Sequence, residues 1–211
     1  MKVNVITPFS RSENFAALRD MLLAQGAASW TLLQMESERG PEFNTDDYLN
    51  VIGGDGWLSC RYLDVPPKTE FHPGMTMVNT FIQRGDFNPD ERYTFFPDDN
   101  WYPPGLIERV SQCDEPMVVT SMKRGDHQPD GVSKHPAWGL VAAEWNMSFG
   151  HVGLEQAFFR GDVLNEMATW DIDIRVPNEY LLISASKKFE TKYIPDLFVW
   201  FNWFEEGRWE K

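Results

Sequence analysis

The first 35 residues constrain the fold more than any other stretch of this chain. Val3, Val5 and Ile6 make a short apolar run that ends at Thr7-Pro8, where a residue without an N–H stops a ladder. The loop Pro8-Phe9-Ser10-Arg11-Ser12 leads into a helical pattern, with Ser12 suited to the N-cap and Glu13 to the first turn, where the helix dipole favours an anion. Phe15, Leu18, Met21 and Leu22 recur at helical spacing, and Gly26 is placed to end the helix. Trp30 to Met35 reads as a second strand. Strand, loop, helix, strand is a βαβ unit, which predicts a parallel sheet with helices on its faces.

Past Glu36 the pattern loosens around Gly53-Gly54-Asp55-Gly56 and Pro66-Pro67, with room for a short strand through Leu58–Leu63. His72-Pro73-Gly74 introduces a second helix whose apolar face is Met75, Val78 and Phe81-Ile82, ending at Arg84-Gly85. Tyr93-Thr94-Phe95-Phe96 is a compact buried strand, and a third helix follows Trp101-Tyr102-Pro103-Pro104 through Leu106, Ile107 and Val110. Met117–Thr120 is a further strand, Lys123–Lys134 a polar loop, and Trp138–Trp145 strand-like. Leu154 to Met167 carries apolar residues at helical intervals, which predicts a helix strained near Gly161; the tail from Tyr193 to Trp209 is strongly aromatic. No internal repeat or linker divides the 211 residues. The reading is one α/β domain with a mixed, mainly parallel sheet flanked by helices.

Acidic residues number 32 against 19 basic, a formal charge of −13. A surface so negative repels phosphate backbones and anionic lipid headgroups, which argues against nucleic acid and membrane-surface partners. A small anionic ligand then depends on a local cluster of Arg, Lys or backbone N–H groups. Cys60 and Cys113 make neither a disulfide framework nor a zinc site. The opening lacks an apolar signal core and no run approaches the roughly 18 apolar residues of a bilayer span, so a cytoplasmic address without an integral membrane segment is expected.

The densest chemical signal is Phe95-Phe96-Pro97-Asp98-Asp99-Asn100-Trp101-Tyr102. Two adjacent carboxylates and an amide follow a buried strand, and in open α/β sheets ligands bind at that edge. Side-by-side carboxylates repel unless a cation lies near them, and hard oxygen donors suit Mg²⁺ or Mn²⁺ held jointly with substrate phosphates. Asp98, Asp99 and Asn100 are the candidate metal ligands, with His151 a possible further one. The same residues also suit an ordinary solvated turn.

In order and spacing, the first half resembles the nucleotide-sugar-dependent glycosyltransferases of the GT-A (Rossmann-like) fold. Val3–Arg11 is similar to that family's first strand and loop, Gly74 and Asn79 to its helix bearing a Gly and an Asn, and Asp98-Asp99-Asn100 to its DXD-type metal motif. Depending on alignment, Pro97 or Asp98 takes the first acidic position. The resemblance implies a donor half over about 1–105 and an acceptor half over about 106–211. It implies transfer of a sugar from a nucleoside-diphosphate sugar, with a UDP- or GDP-sugar as donor and Mn²⁺ or Mg²⁺ as cofactor, to a glycan or other acceptor hydroxyl. Thr7, Pro8, Phe9, Arg11, Asp55 (or Asp64), Asn79 and Asp98 would line the nucleotide pocket. Small stand-alone domains of this fold occur in bacteria and in large viruses, which would place the protein in a bacterial or virus-infected cell. Arg11 also has a case of its own, since a guanidinium at a helix start adds bidentate contacts to N–H groups that already attract anions.

A second cluster, Phe149-Gly150-His151-Val152-Gly153-Leu154-Glu155-Gln156, matches the family's Gly-rich loop before a late helix, where an acidic residue faces the acceptor. Glu155 is the implied catalytic residue, a carboxylate able to take the acceptor hydroxyl's proton; Gln156 stands where inverting members often carry an Asp. Two other readings compete. A nucleotidyltransferase on a similar sheet would want a Gly-rich phosphate loop near the N-terminus, where only Arg11 and no Gly is found. A non-catalytic carbohydrate- or partner-binding module would account for nine Trp and for Pro97 and Gln156.

Overall fold

The βαβ unit forms as its sequence pattern predicts. Strand β1 (Val3–Pro8) and strand β2 (Ser29–Met35) pair in parallel from Asn4↔Ser29 to Pro8↔Leu33, joined by helix α1 (Phe15–Gln25). Pro8 belongs to the strand as its last residue, where its missing N–H costs the ladder least. The structure is a computed structural model that describes residues 1–9, 11, 14–25, 29–35, 59–65, 73–123, 140–141, 153–171 and 178–200.

Strand β3 (Ser59–Val65) adds in parallel to β2, and the chain then crosses through helix α2 (Pro73–Gln83) to strand β4 (Arg92–Phe95), which pairs in parallel with the other side of β1. Helix α3 (Leu106–Ser111) leads to strand β5 (Met117–Lys123), which pairs antiparallel with the two-residue strand β6 (Leu140–Val141). A single 3₁₀ turn (Leu154–Gln156) precedes strand β7 (Ala157–Arg160), and helices α4 (Gly161–Ala168) and α5 (Asn178–Lys188) precede strand β8 (Thr191–Trp200). The eight described strands run in the order β3-β2-β1-β4-β7-β5-β6, with β8 also paired to β5. Pairing is parallel at β1/β2, β2/β3, β1/β4 and β5/β8 and antiparallel around β7 and at β5/β6.

Alternation along each strand divides the interior into two layers. Val3, Val5, Trp30, Leu32, Val118 and Phe158 face α1 and α3, meeting Leu18, Leu22, Leu106 and Val110. Ile6, Leu33, Phe95, Val119 and Phe159 face the other way, meeting Val78 and Ile82 of α2, Leu164 and Met167 of α4, and Leu182 of α5. Both faces are covered, as a mainly parallel sheet requires. Among the described residues no helix is long and apolar enough to cross a membrane.

The helix expected over Leu154–Met167 is corrected by the structure. Its first part is the 3₁₀ turn and β7, and only residues 161–168 are α-helical. Ala157-Phe158-Phe159-Arg160 has apolar residues compatible with either period, and the sheet decides: β7 fills the slot between β4 and β5. The break falls at Gly161, whose N–H donates to the Glu91 carbonyl at 2.9 Å and whose Cα lies so near the Asn88 carbonyl that a Cβ would collide with it. Two elements were not foreseen in the sequence at all, α5 and β8.

Candidate functional site

Chain order brings two loops together before any side chain is considered. From β1 the sheet grows outward through β2 and β3, and the chain then returns to place β4 on β1's opposite side, with α1 on one face and α2 on the other. The strand ends of β1 and β4 are therefore a topological switch point, where the strand order reverses, and the two following loops run side by side toward α1 and α3 on one face. The loop after β1 carries Arg11; the loop after β4 carries Asp98 and Asp99.

These loops are tied to each other. The Arg11 backbone N–H donates to Asp98 Oδ2 at 2.7 Å, and Arg11 Nη1 donates to Asp98 Oδ1 at 2.7 Å. The same Nη1 lies 3.1 Å from Asp99 Oδ2. Asn14, buried at the start of α1, donates its amide to the Asp98 carbonyl at 2.7 Å. Burial pushes the Asp99 carboxyl above its ordinary value; Arg11 pulls it down and Asp98 pushes it up again. Burial works against the Arg11 charge too, but Asp99 and then Asp98 outweigh it and hold the guanidinium above its usual range.

Tyr102 ends the acidic loop inside the core. Its ring is stacked on Phe96 and its hydroxyl is buried. Burial first, and the nearby Glu155 carboxylate second, hold the phenol well above its ordinary pKa, with Asp99 and Asp98 adding to the effect and Asn100 acting against it. Glu155, 56 residues on from Asp99 in sequence, thus lies near enough to Tyr102 for its charge to act there. Its carboxylate folds back over Gly153, in the space a Cβ would occupy.

The other expected site residues divide clearly. Thr7 is fully buried and accepts the Trp30 indole N–H at 2.9 Å. Phe9 is 1% exposed and meets Phe15 edge-on at 6.1 Å, so its ring belongs to the core and offers no face to a base. Pro8 is half-buried at the end of β1, and Asn79 is buried in α2, about 9 Å along the axis from that helix's first residue. Asn100 is fully buried beside Tyr102. Gln156, which stands where the resembled family's inverting members often carry an Asp, is structural: its Oε1 accepts from Gly153 N at 2.8 Å and its Nε2 donates to the Thr120 carbonyl at 2.9 Å. Asp55 and His151 lie outside the described residues. Asn14 and Tyr102 are the residues the sequence did not single out. An Asn at a helix start directly after the Arg11 loop was the available signal for the first.

No protein-family model matches the sequence, and no curated protein matches it. Solved structures do. S. aureus TarS 1–349 in complex with UDP-GlcNAc aligns over 95% of this chain and 58% of its own, at TM-score 0.59 and 11% identity. The same protein alone aligns at TM-score 0.61 and 14% identity over 96% of this chain and 60% of its own. This chain therefore spans about three fifths of TarS 1–349. A 4-diphosphocytidyl-2C-methyl-D-erythritol synthase aligns at TM-score 0.52 and 11% identity, over 92% of this chain and 88% of its own. Identities this low speak to architecture, and the architecture agrees with the strand order and the paired loops: the chain has a Rossmann-like GT-A fold, shared with TarS 1–349.

Proposed function

We propose that the protein is a glycosyltransferase that moves a sugar from a nucleoside-diphosphate sugar, UDP-linked in the first instance, to a hydroxyl of a glycan or related acceptor. The observation that carries this reading is the joining of Arg11, Asp98 and Asp99 at the point where the strand order of the sheet reverses. The UDP-GlcNAc complex of TarS, similar over 95% of this chain, supports a donor of that class.

Mn²⁺ or Mg²⁺ belongs to the proposal because the donor set fits it. Asp98 and Asp99 each present an oxygen to one point, where a cationic nitrogen of Arg11 now sits. Among the described residues no three His, Cys, Asp or Glu side chains form a closed cage. Two carboxylates completed by substrate phosphates is how Mg²⁺ is ordinarily held. Such an ion supplies charge neutralisation on a departing diphosphate. Arg11 contributes bidentate contacts to phosphate oxygens. Glu155 takes the proton of the acceptor hydroxyl as the new bond forms. Tyr102 keeps its own proton there, since burial and three neighbouring carboxylates all oppose its ionisation.

The test is a panel of nucleotide sugars assayed for released diphosphate with and without Mn²⁺, beside calorimetry with UDP and GDP. Cation-dependent nucleotide binding and diphosphate release are expected; sugar binding with no nucleotide binding would instead identify a carbohydrate-binding module. A second reading, nucleotidyl transfer, is favoured by the near end-to-end likeness to the synthase, 88% of whose chain is covered. Pyrophosphate release from a nucleoside triphosphate and a sugar phosphate would select it.

A further inference from the structure

A single nitrogen of Arg11 bridges the two carboxylates of the acidic loop, Nη1 lying 2.7 Å from Asp98 Oδ1 and 3.1 Å from Asp99 Oδ2. A divalent cation shared by those residues needs the same two oxygens, at about 2.1 Å for Mg²⁺. Guanidinium and cation exclude each other there, by overlap and by like charge. The arginine is the partner that can leave: its side chain is 44% exposed, against 3% for Asp98 and 16% for Asp99. Its backbone N–H would continue to hold Asp98 Oδ2 after the guanidinium swung away, so the loop keeps its shape. A nucleotide arriving alone would meet two carboxylates, Asp98 and Asp99, on one guanidinium, and its phosphates are the better bidentate partner for that guanidinium.

We infer that Arg11 is a displaceable lock on the acidic pair, closing it to a divalent cation until the phosphates of a nucleoside diphosphate draw the guanidinium away. The inference rests on the reading of this site as a nucleotide-sugar pocket. Cation and nucleotide then bind with positive coupling, and by linkage each raises the other's affinity by the same factor.

Mn²⁺ binding, read by electron paramagnetic resonance of the free ion, tests the lock without any turnover. Wild type, Arg11→Gln and Arg11→Ala are titrated first without nucleotide, then with UDP or GDP after subtracting Mn²⁺ held by free nucleotide. Without nucleotide, the two variants are expected to bind Mn²⁺ roughly tenfold more tightly than wild type. Nucleotide is expected to raise the wild-type affinity by a similar factor and to raise that of the variants much less. Arg11→Lys, which keeps a cation on the pair, is expected to stay closed, separating loss of charge from a disturbed loop. Equal Mn²⁺ affinity in wild type, Arg11→Gln and Arg11→Ala without nucleotide overturns the lock while leaving a cation-dependent nucleotide site standing. Failure of wild type to bind either nucleotide, with or without Mn²⁺, overturns the pocket reading itself and the lock with it.

Discussion

The ring of Tyr102 lies flat on that of Phe96, with centroids 3.4 Å apart and planes within 10°. Both are fully buried, and Phe96 meets Phe158 of β7 edge-on at 6.0 Å. The five residues between them form a loop whose two ends are clasped inside the core, which anchors the segment that carries Asp98 and Asp99. Replacing Tyr102 with Ala removes the clasp and is expected to cost about 3–5 kcal/mol in chemical denaturation. Tyr102→Phe keeps the stack. Its stability should stay within about 1 kcal/mol of wild type, and a loss of transfer in that variant would belong to the hydroxyl.

Asp99→Asn is expected to leave the melting temperature unchanged or raise it while lowering Mn²⁺-dependent diphosphate release by about 10²-fold. Burial is the largest influence on this carboxyl and disfavours its charge, so the fold gains nothing from ionisation. The sign follows by linkage: a carboxyl raised above 3.8 in the fold favours the folded state below that value, and the contribution is lost as pH rises through the raised one. A carbon-13 titration of Asp99 beside an activity–pH profile would show activity falling where the carboxyl takes up its proton.

Glu155→Gln is expected to lower transfer to acceptor more than it weakens donor binding. Equal losses would mark the carboxylate as support for the 3₁₀ turn. Gly153→Ala offers a second handle, because the new methyl must push the Glu155 carboxylate from its place over Gly153. Transfer should fall with little change in the denaturation midpoint, since the displaced group is the end of a flexible side chain.

Gly161→Ala is expected to destabilise the protein by about 1–3 kcal/mol, because the neighbour in its way is the Asn88 backbone carbonyl, which has nowhere to move. Urea denaturation measures it, and nucleotide affinity of the folded fraction should be unaltered.

Thr7→Val separates core from pocket at the first strand. It leaves the buried Trp30 N–H without its acceptor, a loss of about 1–3 kcal/mol. Calorimetry should find UDP binding intact, in contrast with Arg11→Ala.

What the sequence made legible was local. Phe15, Leu18 and Leu22 mark one face of α1, and the acidic residues after Tyr93–Phe96 mark the strand end, because each signal fits within one turn or one strand. The misread parts depend on distant partners. Ala157–Arg160 runs into Gly161–Ala168 without a break in hydrophobicity, and only the slot between β4 and β5 makes the first four residues a strand. In β8, Pro195 and Asp196 look like breakers, yet they fall where pairing to β5 shifts register between Thr120 and Ser121. Ser121 Oγ donates to the Pro195 carbonyl there at 3.0 Å. At the site, Arg11 and the acidic pair were separate candidates; their joining by one nitrogen needed the β1/β4 pairing. Phe9, which the resemblance implies in the nucleotide pocket, is interior because its ring packs on Phe15, a contact no local pattern announces.

The place of β7 has a consequence for how the molecule can be divided. Residues after 105 supply the strand that seals the outer side of β4, and with it Phe158, which braces Phe96. A fragment ending near residue 105 would contain every described residue of the Arg11–Asp98–Asp99 cluster yet would present β4 as a bare, aggregation-prone margin. The two parts of the chain are interleaved by that strand, so exchanging one part for that of another protein of this fold would require the graft to carry β7 along with β4.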